Sequence, residues 1–223
     1  MKYGRMFVLM ALSAVMVVAA TGCKKEDKGK EETTSTDAIT GKWINYYSIL
    51  DEVITHTLQF NKDGSGVESK SKGDPDVPFA WRFEGSALTL GLNGENLPAT
   101  FDGETIVVNF SASHCKLFIK EGDEGSGEEA NRKNLIGTWK GSSRDDGKGE
   151  TYTYSYVFGA DGNGSYTKET TYKDGKPAKK ESGSFTWTLT GVKLVLKYSP
   201  ILTDATCYNG KKVLCIESVM TKQ

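Results

Sequence analysis

Beyond residue 23 the chain alternates apolar and polar positions in short runs, and none keeps the apolar i, i+3, i+4, i+7 spacing of an amphipathic helix. From Thr151 to Phe158, the residues Tyr152, Tyr154, Tyr156 and Phe158 share one face, with Thr151, Thr153, Ser155 and Val157 on the other. Phe185, Trp187 and Leu189 alternate with Ser184, Thr186 and Thr188 in the same way. Such alternation predicts half-buried strands, because successive side chains of a strand point to opposite faces. Turn signals interrupt the runs at Asp63-Gly64, Gly85, Asn93-Gly94, Asp102-Gly103, Asp161-Gly162, Asp174-Gly175, Gly191 and Asn209-Gly210. Asx-Gly suits hairpins, whose central residues need positive φ. Closely spaced hairpins join neighbouring strands, so the fold class is all-β, an antiparallel up-and-down meander that closes to remove its edges.

The pattern occurs twice. Trp81 to Leu90 and Trp187 to Leu196 both fit W-x-[FL]-x-G-x-x-L-x-L without a gap. Each is preceded by Phe-x-x-Asp-Gly-x-Gly (Phe60 to Gly66, Phe158 to Gly164) and, earlier, by Gly-x-Trp (Gly41 to Trp43, Gly137 to Trp139). Landmarks repeated in the same order mark a duplicated domain. The expected repeats span 39–120 and 135–223, each with about 85 residues and therefore one small core. Two barrels in tandem follow, although two halves of one larger barrel fit the same pattern. Residues 121–134, with Gly-Asp-Glu-Gly-Ser-Gly-Glu-Glu, read as an acidic flexible linker that favours two.

The N-terminus carries an address. Lys2 and Arg5 precede an apolar run from Phe7 to Ala20 that is too short to span a bilayer as a helix, so 1–22 reads as a signal peptide. The ending Ala20-Thr21-Gly22-Cys23 resembles the lipobox of bacterial lipoproteins, although the position three before the Cys is usually Leu. The resemblance implies cleavage before Cys23, acylation of that residue and membrane attachment. Lys24 stands where an Asp would resemble the inner-membrane retention signal of Gram-negative lipoproteins, which points to the outer membrane. Lys24-Lys25-Glu26-Asp27 also looks like an acid-containing surface-export tag, favouring the cell surface over the periplasmic face. Residues 23–38 then form a charged, Ser/Thr-rich tether.

A Gly-x-Trp opening the first strand of an antiparallel meander resembles lipocalins, and each repeat looks like a short lipocalin-like domain of secreted bacterial lipoproteins. The resemblance makes Trp43 and Trp139 the packing tryptophans at the closed end, with Gly41 and Gly137 before them; Trp81 joins the structural set. Each repeat is about half a lipocalin in length, lacks a Thr-Asp-Tyr loop and has no Arg placed to stack over the Trp. A roomy calyx is not implied.

Chemistry is sparse. The whole sequence has a formal net charge of −1, made more acidic by loss of Lys2 and Arg5, and no basic stripe to receive nucleic acid. His56 and His114 have no counterparts in the second repeat and read as solvent-facing. His114 and Cys115 are sequence neighbours, so on a strand they point apart and cannot share a metal or a proton. The Asp63 and Asp161 segments are turns rather than calcium loops, because the spacing and flanking helices of an EF-hand are missing. No G-x-S-x-G elbow occurs, and no catalytic set, metal site or cofactor is expected. Cys115, Cys207 and Cys215 allow at most one bridge; burial as small hydrophobes is the simpler reading.

The most suggestive feature is the ladder Tyr152, Tyr154, Tyr156, which with Trp187 could wall a binding site or simply form the core of the second repeat. The expected function is a non-enzymatic, outer-membrane-anchored lipoprotein whose barrels bind a small apolar ligand or another envelope component. The alternative is a protein-binding subunit, adhesin or inhibitor with solid barrels.

Overall fold

The computed structural model describes residues 36–84, 87–111, 114–145 and 147–223; the leader, Cys23 and most of the tether lie outside them. Both repeats belong to one compact unit. A single helical turn, α1 (Thr36–Ile39), leads into eight strands: β1 (Gly41–Ile49), β2 (Glu52–Phe60), β3 (Ser65–Lys70), β4 (Val77–Glu84), β5 (Ala87–Leu92), β6 (Glu95–Phe101), β7 (Thr105–Ser111) and β8 (His114–Lys120). They pair in sequence order and close into a barrel, β1 meeting β8 at Trp43↔Lys120 and Ile44↔Ile119.

The second repeat follows the same plan. Helix α2 (Glu128–Leu135) precedes β9 (Gly137–Asp145), β10 (Glu150–Phe158), β11 (Asn163–Tyr172), β12 (Lys179–Thr190), β13 (Lys193–Ser199), β14 (Leu202–Cys207), β15 (Val213–Cys215) and β16 (Val219–Lys222). Its sheet order is β14-β13-β12-β11-β10-β9-β16-β15, so it is nearly closed, with an open seam between β14 and β15. The fold is all-β with two eight-stranded antiparallel barrels, and the composite single barrel is not formed.

The duplication reaches individual contacts. Trp43 donates its indole N–H to the Ile39 carbonyl at 2.6 Å, and Trp139 does the same to Leu135 at 2.8 Å. Gly41 pairs with Phe60 and Gly137 with Phe158, both glycines at φ above +120°. Lys120 and Lys222 lie over these glycines and donate to the carbonyls of Ala38 and Asn134, and the Lys120 ammonium sits 5.8 Å from the Trp43 ring. A lysine thus stands over the packing Trp where the sequence offered no Arg. Phe60, Phe79 and Trp81 meet edge to face, and Phe158, Phe185 and Trp187 do so in the second barrel.

One glycine in each copy is fixed by space. A Cβ on Gly66 would stand 2.3 Å from the Phe79 ring, and one on Gly164 would stand 2.3 Å from the Phe185 ring. Gly164→Ala is therefore expected to destabilise the second barrel by about 2 kcal/mol through overpacking. Urea unfolding measures this, and an unchanged midpoint would contradict the packing.

Three expectations need correction. The segment read as a flexible linker contains α2, which has no apolar periodicity because little besides Asn131 and Leu135 is buried. Glu128 and Glu129 at its start and Arg132 and Lys133 near its end complement the helix dipole. Asn209-Gly210 is not a two-residue hairpin, because β14 and β15 are unpaired there. The linker segment occupies the position instead: Ser126 N–H donates to Asn209 O at 3.3 Å and Asn134 Nδ2 to Gly210 O at 3.2 Å. His56, read as solvent-facing, is fully buried inside the first barrel, because the face it shares with Ile54, Leu58 and Phe60 turns inward.

The seam of the second barrel is covered by the first. Val107, Cys115, Leu117 and Ile119 on the outside of β7 and β8 pack with Val192, Cys207 and Cys215, so the outer face of β8 is apolar and buried. Thr203 N–H donates to Leu50 O at 3.0 Å, Ser48 Oγ donates to Thr203 O, and Cys207 Sγ lies 3.4 Å from Ile44 O. The three cysteines among the described residues, Cys115, Cys207 and Cys215, are free and buried, and the Cys115 and Cys215 thiols meet across this interface.

Candidate functional site

Most of the predicted ligand wall is core. Tyr154, Tyr156 and Trp187 are buried and fill the second barrel together with Phe158, Phe185, Leu194 and Leu196. Trp187 is further closed off by the Arg132 guanidinium, 4.6 Å from its ring. Tyr152 is half-buried and hydrogen-bonded to Glu150, and the Lys168 ammonium lies 4.8 Å from its ring and 5.5 Å from that of Tyr154. Of the four, Tyr156 lines a pocket at the rim of the barrel.

That pocket, about 310 Å³, opens at the rim of the second barrel beside the first. Strand alternation brings its aromatic wall together: Tyr156 pairs with Tyr166 across β10 and β11, their rings 5.7 Å apart and stacked. Tyr198, near the end of β13, sets its ring at 90° to Tyr166 at 5.5 Å and its hydroxyl 3.3 Å from that of Tyr156. Burial pushes both hydroxyls well above the usual tyrosine range, so they stay neutral donors. Lys168, Glu181, Leu202, Thr203, Asp204, Glu217 and, from the first barrel, Ser48 complete the lining.

Asp204 is the unusual group. It opposes Leu196 in the ladder, and burial together with the nearby Glu217 carboxylate pushes its carboxyl up to about 6. Its one hydrogen bond among the described residues comes from Ala205 N–H at 2.8 Å. Asp204 and Glu217 also line a neighbouring slot of about 150 Å³, whose other walls include Asn45, Tyr47, His114, Cys115 and Lys116. The slot lies where β1 and β8 splay beyond their two paired positions; Asn45 Nδ2 bridges the gap to Leu117 O at 2.8 Å. The Asn45 side-chain oxygen is buried without a hydrogen-bond partner among the described residues.

A second polar cluster stands inside the first barrel. His56 Nε2 meets Glu68 Oε1 at 2.7 Å, and Lys116 Nζ lies 3.1 Å from His56 Nδ1. Burial keeps His56 neutral and lowers Lys116 to about 8, while the His56 hydrogen bond holds Glu68 below the usual carboxylate range. Lys116 also sits 4.1 Å from the Tyr47 ring, so its ammonium is already partnered. Among the described residues no group of three or more His, Cys, Asp or Glu could hold a metal ion. Nothing along the chain marks Asp204, Glu217, Tyr166 and Tyr198 as a set, since they come together only in the folded barrel.

Residues 135–216, from the end of α2 through β15, match the family model of the lipocalin-like domain. This agrees with the barrel observed there; the first barrel shares its plan through the duplication. No curated protein matches the chain. A solved protein of unknown function from the DUF3598 family of Nostoc punctiforme is similar at 15% identity, over 78% of this chain and 81% of that one, with a TM-score of 0.25. A score that low carries no argument about fold or function.

Proposed function

We propose that this is a non-enzymatic lipoprotein, anchored to the outer membrane through Cys23, that holds a small molecule at the rim of its second barrel. The observation that carries the binding reading is the three-tyrosine pocket of about 310 Å³ on a lipocalin-like domain. The filled barrel core supports a ligand at the mouth rather than in a deep calyx. Exposed Leu202 lines the pocket, and exposed Leu50, whose carbonyl accepts the Thr203 N–H, adds apolar surface beside it.

Native against denaturing mass spectrometry of the protein, gently extracted from its own host, tests the binding. A reproducible extra mass lost on denaturation is expected, and a bare chain would overturn it. The exposed aliphatic tip also favours a second reading, a protein-binding accessory role. A larger complex in the same spectrum would support that one. For the anchor, Cys23→Ala should release the protein from membranes; continued membrane association of the variant would refute the lipid attachment.

A further inference from the structure

We infer that the rim pocket selects an organic cation, a small molecule with a protonated amine on an apolar body, with Asp204 and Glu217 as its counter-ions. This rests on the rim pocket being a ligand site. Three acids line it, and Glu181 meets Lys179, but Asp204 and Glu217 have no ion-pair partner among the described residues, whereas the exposed acids Glu84 and Asp174 each meet an arginine or a lysine. The one basic residue in the lining, Lys168, is drawn over the rings of Tyr152 and Tyr154 instead. A partly desolvated Asp next to a second acid is costly unless a cation completes it. The walls suit the same ligand, because tyrosine rings attract cations electrostatically and take up apolar surface.

A separate observation points the same way. The side-chain oxygen of Asn45, a residue 1% exposed, has no hydrogen-bond partner among the described residues, and Asn45 lines the slot that shares Asp204 and Glu217 with the pocket. It is an acceptor in want of a donor, and an ammonium N–H seated between the two carboxylates would supply one. Anions are disfavoured by the same acids, and a neutral apolar molecule would leave all three acceptors unpaired.

Isothermal titration of the full chain in detergent with tryptamine and its neutral isostere tryptophol tests the charge preference. Tryptamine should bind about tenfold tighter or more, as expected of hydrogen bonds to charged groups. Asp204→Asn should remove that preference, and Glu217→Gln should reduce it. Equal binding of the two probes, or a preference that survives Asp204→Asn, would overturn the cation assignment and leave the rim site standing. A host ligand without a basic nitrogen in native mass spectra would do the same. If neither probe binds and no host ligand is found, the rim site itself falls.

Discussion

Trp139→Ala is expected to unfold the second barrel while leaving the first folded. Core tryptophan truncations cost about 3–5 kcal/mol. Here the indole is fully buried, meets Tyr208 edge to face at 5.6 Å and satisfies the Leu135 carbonyl, so truncation leaves both a void and an orphaned acceptor at the end of α2. Trp43→Ala removes the equivalent contacts to Phe101 and Ile39. Its consequences spread further, because the first barrel also covers the seam of the second. Hydrogen exchange resolved by segment distinguishes the two variants: protection lost in 137–222 alone for Trp139→Ala, and in both barrels for Trp43→Ala. Unchanged melting of both would refute the packing roles.

Asp204→Asn should make the protein more stable at neutral pH. A carboxyl raised to about 6 in the fold is harder to ionise there than in the unfolded chain, so its ionised form opposes folding. The penalty is absent below the ordinary carboxylate range and grows as pH rises through about 6. At pH 7 and above it amounts to at most about 3 kcal/mol, less to the extent that water reaches the group. The groups around it are the Glu217 carboxylate, the neutral Tyr156 and Tyr198 hydroxyls and the Ala205 N–H, with Lys116 and His114 across the slot. Thermal melting of wild type and variant at pH 7.5 and pH 4.5 measures the effect. The variant's advantage should be large at the higher pH and fall to about a third of that at the lower. A variant less stable than wild type at pH 7.5 would show that the ionised carboxylate is well partnered in the fold.

The barrels were legible in the chain because their information is local: period-two alternation, Asx-Gly turns and two copies of the same Trp-containing strand. Gly41 and Trp43 lie at the start of β1, and Gly137 and Trp139 at the start of β9. What escaped a local reading depends on neighbours distant in sequence. Helix α2 has little apolar pattern because one polar and one apolar residue suffice to seat it. Asn209-Gly210 has the residues of a tight turn, yet the linker segment competes for its backbone. The tyrosine ladder was visible, but alternation cannot tell a core from a wall, and only at Tyr156 do the two coincide. Asp204 looks like any polar residue of a strand until the first barrel closes over its side of the second.

The covered seam gives the molecule a direction in time. The first barrel pairs its strands strictly in order and closes on itself, so an emerging N-terminal half can complete its fold before the rest of the chain arrives. Near the end of the second half, short β15 sets Val213 and Cys215 against a surface of the first barrel that is already waiting. The earlier copy thus serves the later one as a built-in assembly platform. The two halves have ceased to be interchangeable: the first can do without its duplicate, and the second cannot.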